Sequence, residues 1–160
     1  MDRETTLRTQ LAEALEGGHA HMTAGGILSA VPASARGKRP GPGLVSPWQL
    51  LEHLRISQWD ILEFSRNPRH VSPEWPEGYW PESEAPPEPK AWDQSVASFG
   101  QDLKDLLSLV RDPAQDLLAP FAHGQGQTLA REAVLAAVHN AYHLGQLVSA
   151  RKLLGIWPPK

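Results

Sequence analysis

Proline placement limits where this chain can be helical. Fifteen prolines occur in 160 residues, and most crowd two stretches: 32–47 (PASARGKRPGPGLVSP) and 68–89 (PRHVSPEWPEGYWPESEAPPEP). Proline lacks an amide donor and its ring clashes with the preceding turn, so neither stretch reads as a helix or a central strand. Both are expected to be ordered loops. Four segments with helical period lie outside them. The first, from about Asp2 to Glu16, sets Leu7, Leu11 and Leu15 one turn apart and stops at Gly17-Gly18. The second opens at Ser46-Pro47, a cap followed by proline at the first helical position, and ends before Pro68. The third, from about Pro89 to Val110, places Trp92, Val96, Phe99, Leu103, Leu106 and Val110 at steps of three and four. The fourth runs from Thr128 to Leu154, ends at Gly155 and would be about 40 Å long at 1.5 Å per residue. A short turn is expected at Thr23–Ala30 and a short helical piece from Asp112-Pro113. No window alternates over a strand length. The expectation is an all-α single domain over 1–160, a four-helix bundle with long Pro-rich loops.

Cysteine is absent. That excludes disulfides, a thiolate nucleophile and every cysteine-containing zinc site, so any metal must be held by His, Asp or Glu. A formal charge of −3, with one short basic cluster (Arg36, Lys38, Arg39), offers no field for nucleic acid. No apolar run approaches the roughly 20 residues that cross a bilayer. The N-terminal MDRETTLRTQ is charged throughout and does not resemble a secretory signal, which makes the cytoplasm the expected location.

Of seven histidines, three stand apart. His139 and His143 lie four apart in HNAYHLGQ and project from one face of the fourth helix. Leu135, Tyr142, Gln146, Leu147, Ala150 and Leu153 share that face, which is polar only at its middle. Two imidazoles one turn apart can hold one metal ion with ring nitrogens about 2.0–2.1 Å from it. Asn140 stands where a zinc protease motif has glutamate, so the helix carries no built-in general base. His53, mid-helix in the second segment beside Gln49, Leu50, Ser57, Asp60 and Phe64, is the candidate third ligand. Three neutral imidazoles leave a coordination position open, the mark of a catalytic site. A lone inward histidine is more often a hydrogen-bonded core residue. His19, His21, His70 and His123 have no partner at ligand spacing and are set aside.

His53 in the second helix, HNAYHLGQ some 90 residues later, and the stretches SPWQLLEHLRISQWDILEF and SPEWPEGYWP resemble the DinB-like (DinB/YfiT) metalloprotein superfamily over nearly the whole chain. The resemblance implies an up-down four-helix bundle, often dimeric, with a divalent metal held by His53, His139 and His143. It also implies a metal-dependent hydrolase or a thiol-dependent S-transferase or isomerase acting on a small molecule. Zinc or nickel is favoured, and iron or manganese also suits imidazole. A non-catalytic dimeric metal- or ligand-binding protein is the alternative. Val45 and Val138 depart from residues common in relatives (His before Ser-Pro-Trp, an acid before the first ligand of the pair). These departures bear on polar help in catalysis rather than on metal binding.

Asp60, Tyr142 and Gln146 are the candidate pocket or supporting residues by helix face. Asp60 lies about two turns, ~10 Å, from His53, which suits support of a neighbouring ligand better than coordination beside it. Any thiol would have to arrive as a low-molecular-weight cosubstrate. The 68–89 loop sets Trp75, Tyr79 and Trp80 among five acids and is expected to form a lid or wall of the site, or else a clasp over a helix end. A second apolar face of the last helix (Val134, Ala137, Ala141, Leu144, Val148) leads us to expect a homodimer through that helix.

Overall fold

The helix starts follow side chains that stand in for missing backbone acceptors. In the computed structural model, which describes residues 2–159, Asp2 accepts from the Thr5 amide and opens α1 (Arg3–Glu16). Met1 and Lys160, the ends of the expected domain, lie outside the described residues. Gly17 closes α1 at φ 68°, a left-handed conformation in which a side chain would be strained. Thr23 caps the short α2 (Ala24–Leu28), and α3 (Ala33–Arg36) is a single turn after Pro32. Ser46 and Gln49 cap each other's backbone in a reciprocal box at the head of α4 (Pro47–Arg66). α5 spans Ala91–Arg111, and Thr128 caps α6 (Leu129–Leu153). One 3₁₀ turn (Glu77–Tyr79) interrupts the long 67–90 connection. Among the described residues there is no strand, so the chain is all-α.

Two local expectations change. The 32–47 stretch contains α3 rather than loop throughout. The helical piece expected from Asp112-Pro113 is absent: the Asp112 carboxylate accepts from the Ala114 amide, and Asp116 accepts from the Leu118 and Ala119 amides. Two aspartates thus take the donors that a helix would use, and the segment folds as consecutive turns.

The four long helices pack in a cycle, α4 against α5 and α6, and α1 against α5 and α6. Their interior divides into two apolar clusters. One gathers Trp48, Leu51, Leu54, Trp92, Phe99, Leu144 and Leu147; the other gathers Leu11, Leu62, Leu106, Val110, Leu129 and Ala136. Each fully buried large apolar side chain contributes about 1.5–3 kcal/mol. A polar tie also runs through the interior. Gln58 Nε2 donates to the Phe99 carbonyl at 2.7 Å, and Asn140 Nδ2 donates to Gln58 Oε1 at 2.8 Å. Asn140, in the position a protease would give to its base, instead fastens α6 to α4.

Arg151, wholly buried at the end of α6, donates to the carbonyls of Ile27, Ser29, Ala30 and Ile156 and lies over the Trp157 ring. It closes that end of the molecule on the segment after α2. The face of α6 expected to meet a second copy is partly internal. Leu144 belongs to the first core cluster, and Val148 and Ala137 pack against the two clusters. The apolar residues that α6 leaves outside are Val134, Leu135, Val138, Tyr142 and Leu153. No helix among the described residues is long and apolar enough to cross a membrane.

Candidate metal centre

The capping box at Ser46 sets the phase of α4, and two turns later that phase aims His53 toward α6. On α6, His139 and His143 are one turn apart and meet it. His53 Nε2 lies 3.1 Å from His139 Nε2 and 3.1 Å from His143 Nε2. One ring nitrogen from each of the three falls within 4.8 Å of the others. His53 is 3 % exposed, and the other two are half-buried.

The second nitrogens fix which atoms face inward. His53 Nδ1 donates to the Tyr79 carbonyl at 2.9 Å, because a carbonyl can only accept. His143 Nδ1 donates to Gln146 Oε1 at 2.7 Å. Burial holds both imidazoles below their ordinary pKa, and it pushes His139 down to about 4, with repulsion from His143 and His53 adding to the shift. At neutral pH all three rings are therefore uncharged. His53 and His143, with their protons on Nδ1, point Nε2 lone pairs at each other across 3.1 Å. Two lone pairs at that distance repel unless a cation lies between them. Tetrahedral bonds of about 2.05 Å would hold ligand nitrogens roughly 3.3 Å apart, close to the spacing seen. The donor set fits a divalent ion that accepts imidazole.

The 68–89 segment builds the other side of this centre. Trp80 stacks on the His53 ring, centroids 4.0 Å apart and planes 2° from parallel. Asp60, two turns along α4 from His53, holds the segment in place. One carboxylate oxygen accepts from Tyr79 Oη at 2.7 Å, the other from His70 Nε2 at 2.7 Å. Asp60 therefore reaches His53 through the Tyr79 backbone and touches none of the three converging histidines. Burial, together with the Asp60 hydrogen bond and charge, pushes the Tyr79 phenol up to about 12. Trp75, by contrast, is 73 % exposed and packs edge-on against Tyr79.

Of the residues singled out from sequence, His53, His139 and His143 converge, and Gln146 contacts His143. Asp60 lies behind Tyr79. Tyr142 sits edge-on to His143 with its side chain mostly in solvent. His70, set aside for want of a partner at ligand spacing, is not among the converging histidines but hydrogen-bonds Asp60. The contact bridges a loop without periodicity, and only the inward position of Asp60 hinted at it. His123 donates to the Phe64 carbonyl and plays no part in the centre.

A family model described as the DinB superfamily matches residues 10–147. No curated protein and no solved structure gives a significant match.

Proposed function

Because the chain belongs to the DinB superfamily, we propose that it binds one divalent metal ion through His53, His139 and His143 and uses it on a small molecule, as a hydrolase or a thiol-dependent S-transferase. In this reading the four long helices form the up-down bundle of that superfamily, and the protein works in the cytoplasm. The observation that carries the proposal is the pair of inward Nε2 lone pairs on His53 and His143, fixed by donation of both Nδ1 protons elsewhere.

A bound divalent ion would supply Lewis acidity, polarising a carbonyl or lowering the pKa of a water or thiol. The chain's own residues do the rest. Tyr79 and Gln146 hold the His53 and His143 rings in the tautomer that faces Nε2 inward. Trp80 covers one face of His53 and keeps water from it. Asn140 and Gln58 lock α6 against α4, so the spacing between His53 and the pair on α6 is set by packed helices rather than by loops.

Metal analysis of protein purified without an affinity tag tests the centre. About one equivalent of zinc, nickel, iron or manganese is expected. His139→Ala should reduce it to less than about a tenth of an equivalent, since two imidazoles hold metal far more weakly than three. Less than that in the unsubstituted protein, even after incubation with zinc or nickel, would sink the proposal. Turnover is then sought with esters and amides, and with alkylating electrophiles in the presence and absence of added thiols.

A further inference from the structure

Beside His143 a cleft of about 650 Å³ opens between α6, the start of α4 and the 40–45 turn. Its walls include Leu44, Val45, Leu50, Trp80 and Leu153, and no Asp, Glu, Lys or Arg lines it. That volume falls within the range of small-molecule sites. Of the three cations in the neighbouring 36–39 segment, Arg36 pairs with Asp93 and Arg39 with Glu84, and the exposed Lys38 is not part of the cleft wall. The body of a charged ligand lying away from His143 would meet no opposite charge among the lining side chains.

The side chains at the cleft with a free donor include those of Gln146 and Tyr142, while the Ser149 hydroxyl, also in its wall, already donates to the Gly145 carbonyl. Gln146 gives its amide oxygen to His143, and its N–H₂ group donates to nothing among the described residues. The Tyr142 hydroxyl is likewise without a partner there. Gly145 lies between them, and a Cβ added to it would meet no atom within 4 Å.

We infer that this cleft binds an uncharged, mainly apolar small molecule carrying an acceptor oxygen such as an ester, amide or ketone carbonyl, held with its reactive end at His143. The inference rests on the metal-centre reading only for which end reacts. It narrows that reading as well: a thiol cosubstrate that carries carboxylates does not fit, whereas an uncharged thiol does.

The test uses the full chain, stripped of metal and zinc-loaded, with the neutral fluorescent ketone 6-propionyl-2-(dimethylamino)naphthalene as probe. Saturable one-to-one binding is expected in both forms. In the metal-free form, 2-naphthamide should displace the probe at concentrations at least about tenfold lower than 2-naphthoate, which matches it in shape but carries a charge. Gly145→Leu should weaken probe binding by at least about tenfold with zinc stoichiometry unchanged, because it fills the cleft and leaves the histidines alone. Leu153→Lys, a surface change, should narrow the gap between amide and carboxylate. Equal displacement by the two competitors overturns the inference. So does probe binding that survives Gly145→Leu in a protein of unchanged helicity, or affinity that falls as protein concentration rises, which would mean that a second copy fills the cleft. Zinc calorimetry runs separately: loss of zinc binding with the neutral preference intact removes the metal centre and leaves the cleft standing.

Discussion

His139 differs from its two partners in having no group for its outer nitrogen: Nδ1 is buried and unpaired among the described residues. Its tautomer is therefore free to respond to what lies between the rings. Without a cation, His139 Nε2–H donates to His53 Nε2 across their 3.1 Å contact. With one, the proton belongs on Nδ1. Nitrogen-15 NMR should show the His139 ring exchanging its protonated nitrogen on zinc addition, while His53 and His143 keep theirs. Tyr79 supports the centre from outside. Tyr79→Phe removes the bond to Asp60 that holds the Tyr79 carbonyl at His53, and zinc affinity should fall roughly tenfold by calorimetry. The same phenol gives a pH signature. Its pKa rises from 10.0 to about 12 in the folded protein, so the native state keeps a proton that the unfolded chain loses. The stability it contributes is intact below pH 10 and is lost as pH rises through about 12. In a Tyr142→Phe variant, whose remaining tyrosine is Tyr79, absorbance titration should show ionisation near 12.

Helix boundaries were legible in the sequence wherever a cap preceded a periodic stretch. Ser46-Pro47 and Thr128 start α4 and α6 where their side chains reach the third amide, and those two starts set the phase that brings the three histidines together. Asp112-Pro113 carries the same local signal yet starts no helix, because Asp116 captures the next donors and Pro120 follows closely. A cap proposes a helix; the residues after it decide. Nothing periodic marked Arg151 as an anchor. It looks like an ordinary basic residue in the last turn, and its four carbonyl partners lie at the end of α2, in the turn after it and beyond the end of α6, which helical spacing does not relate to it. Arg151→Met should destabilise the protein by about 3 kcal/mol in urea denaturation, since several buried carbonyls lose their donor together. Ser46→Ala should cost about 1 kcal/mol by the same measurement.

At the scale of the whole molecule, the outer surface of α6 is an apolar region that nothing covers among the described residues. From Ala133 to Ala150 the helix carries no charged residue, and Val134, Val138 and Tyr142 are 50 %, 64 % and 63 % exposed. We propose that a two-fold copy packs against Val134, Leu135 and Val138. Sedimentation equilibrium should give a dimer at micromolar concentration and a monomer for Val138→Glu, and a monomeric unsubstituted protein would remove this reading. The three histidines carry a further consequence. His53 and His139 stand 86 residues apart along the chain, on helices from opposite halves of the sequence. An ion shared between them is a reversible cross-link that closes a loop over half the protein, made and broken by chelation rather than by redox chemistry. Folded stability then follows the free metal concentration, gaining about 2.7 kcal/mol when that concentration is a hundred times the dissociation constant. Resistance to unfolding would thus report how much metal the surrounding solution can spare.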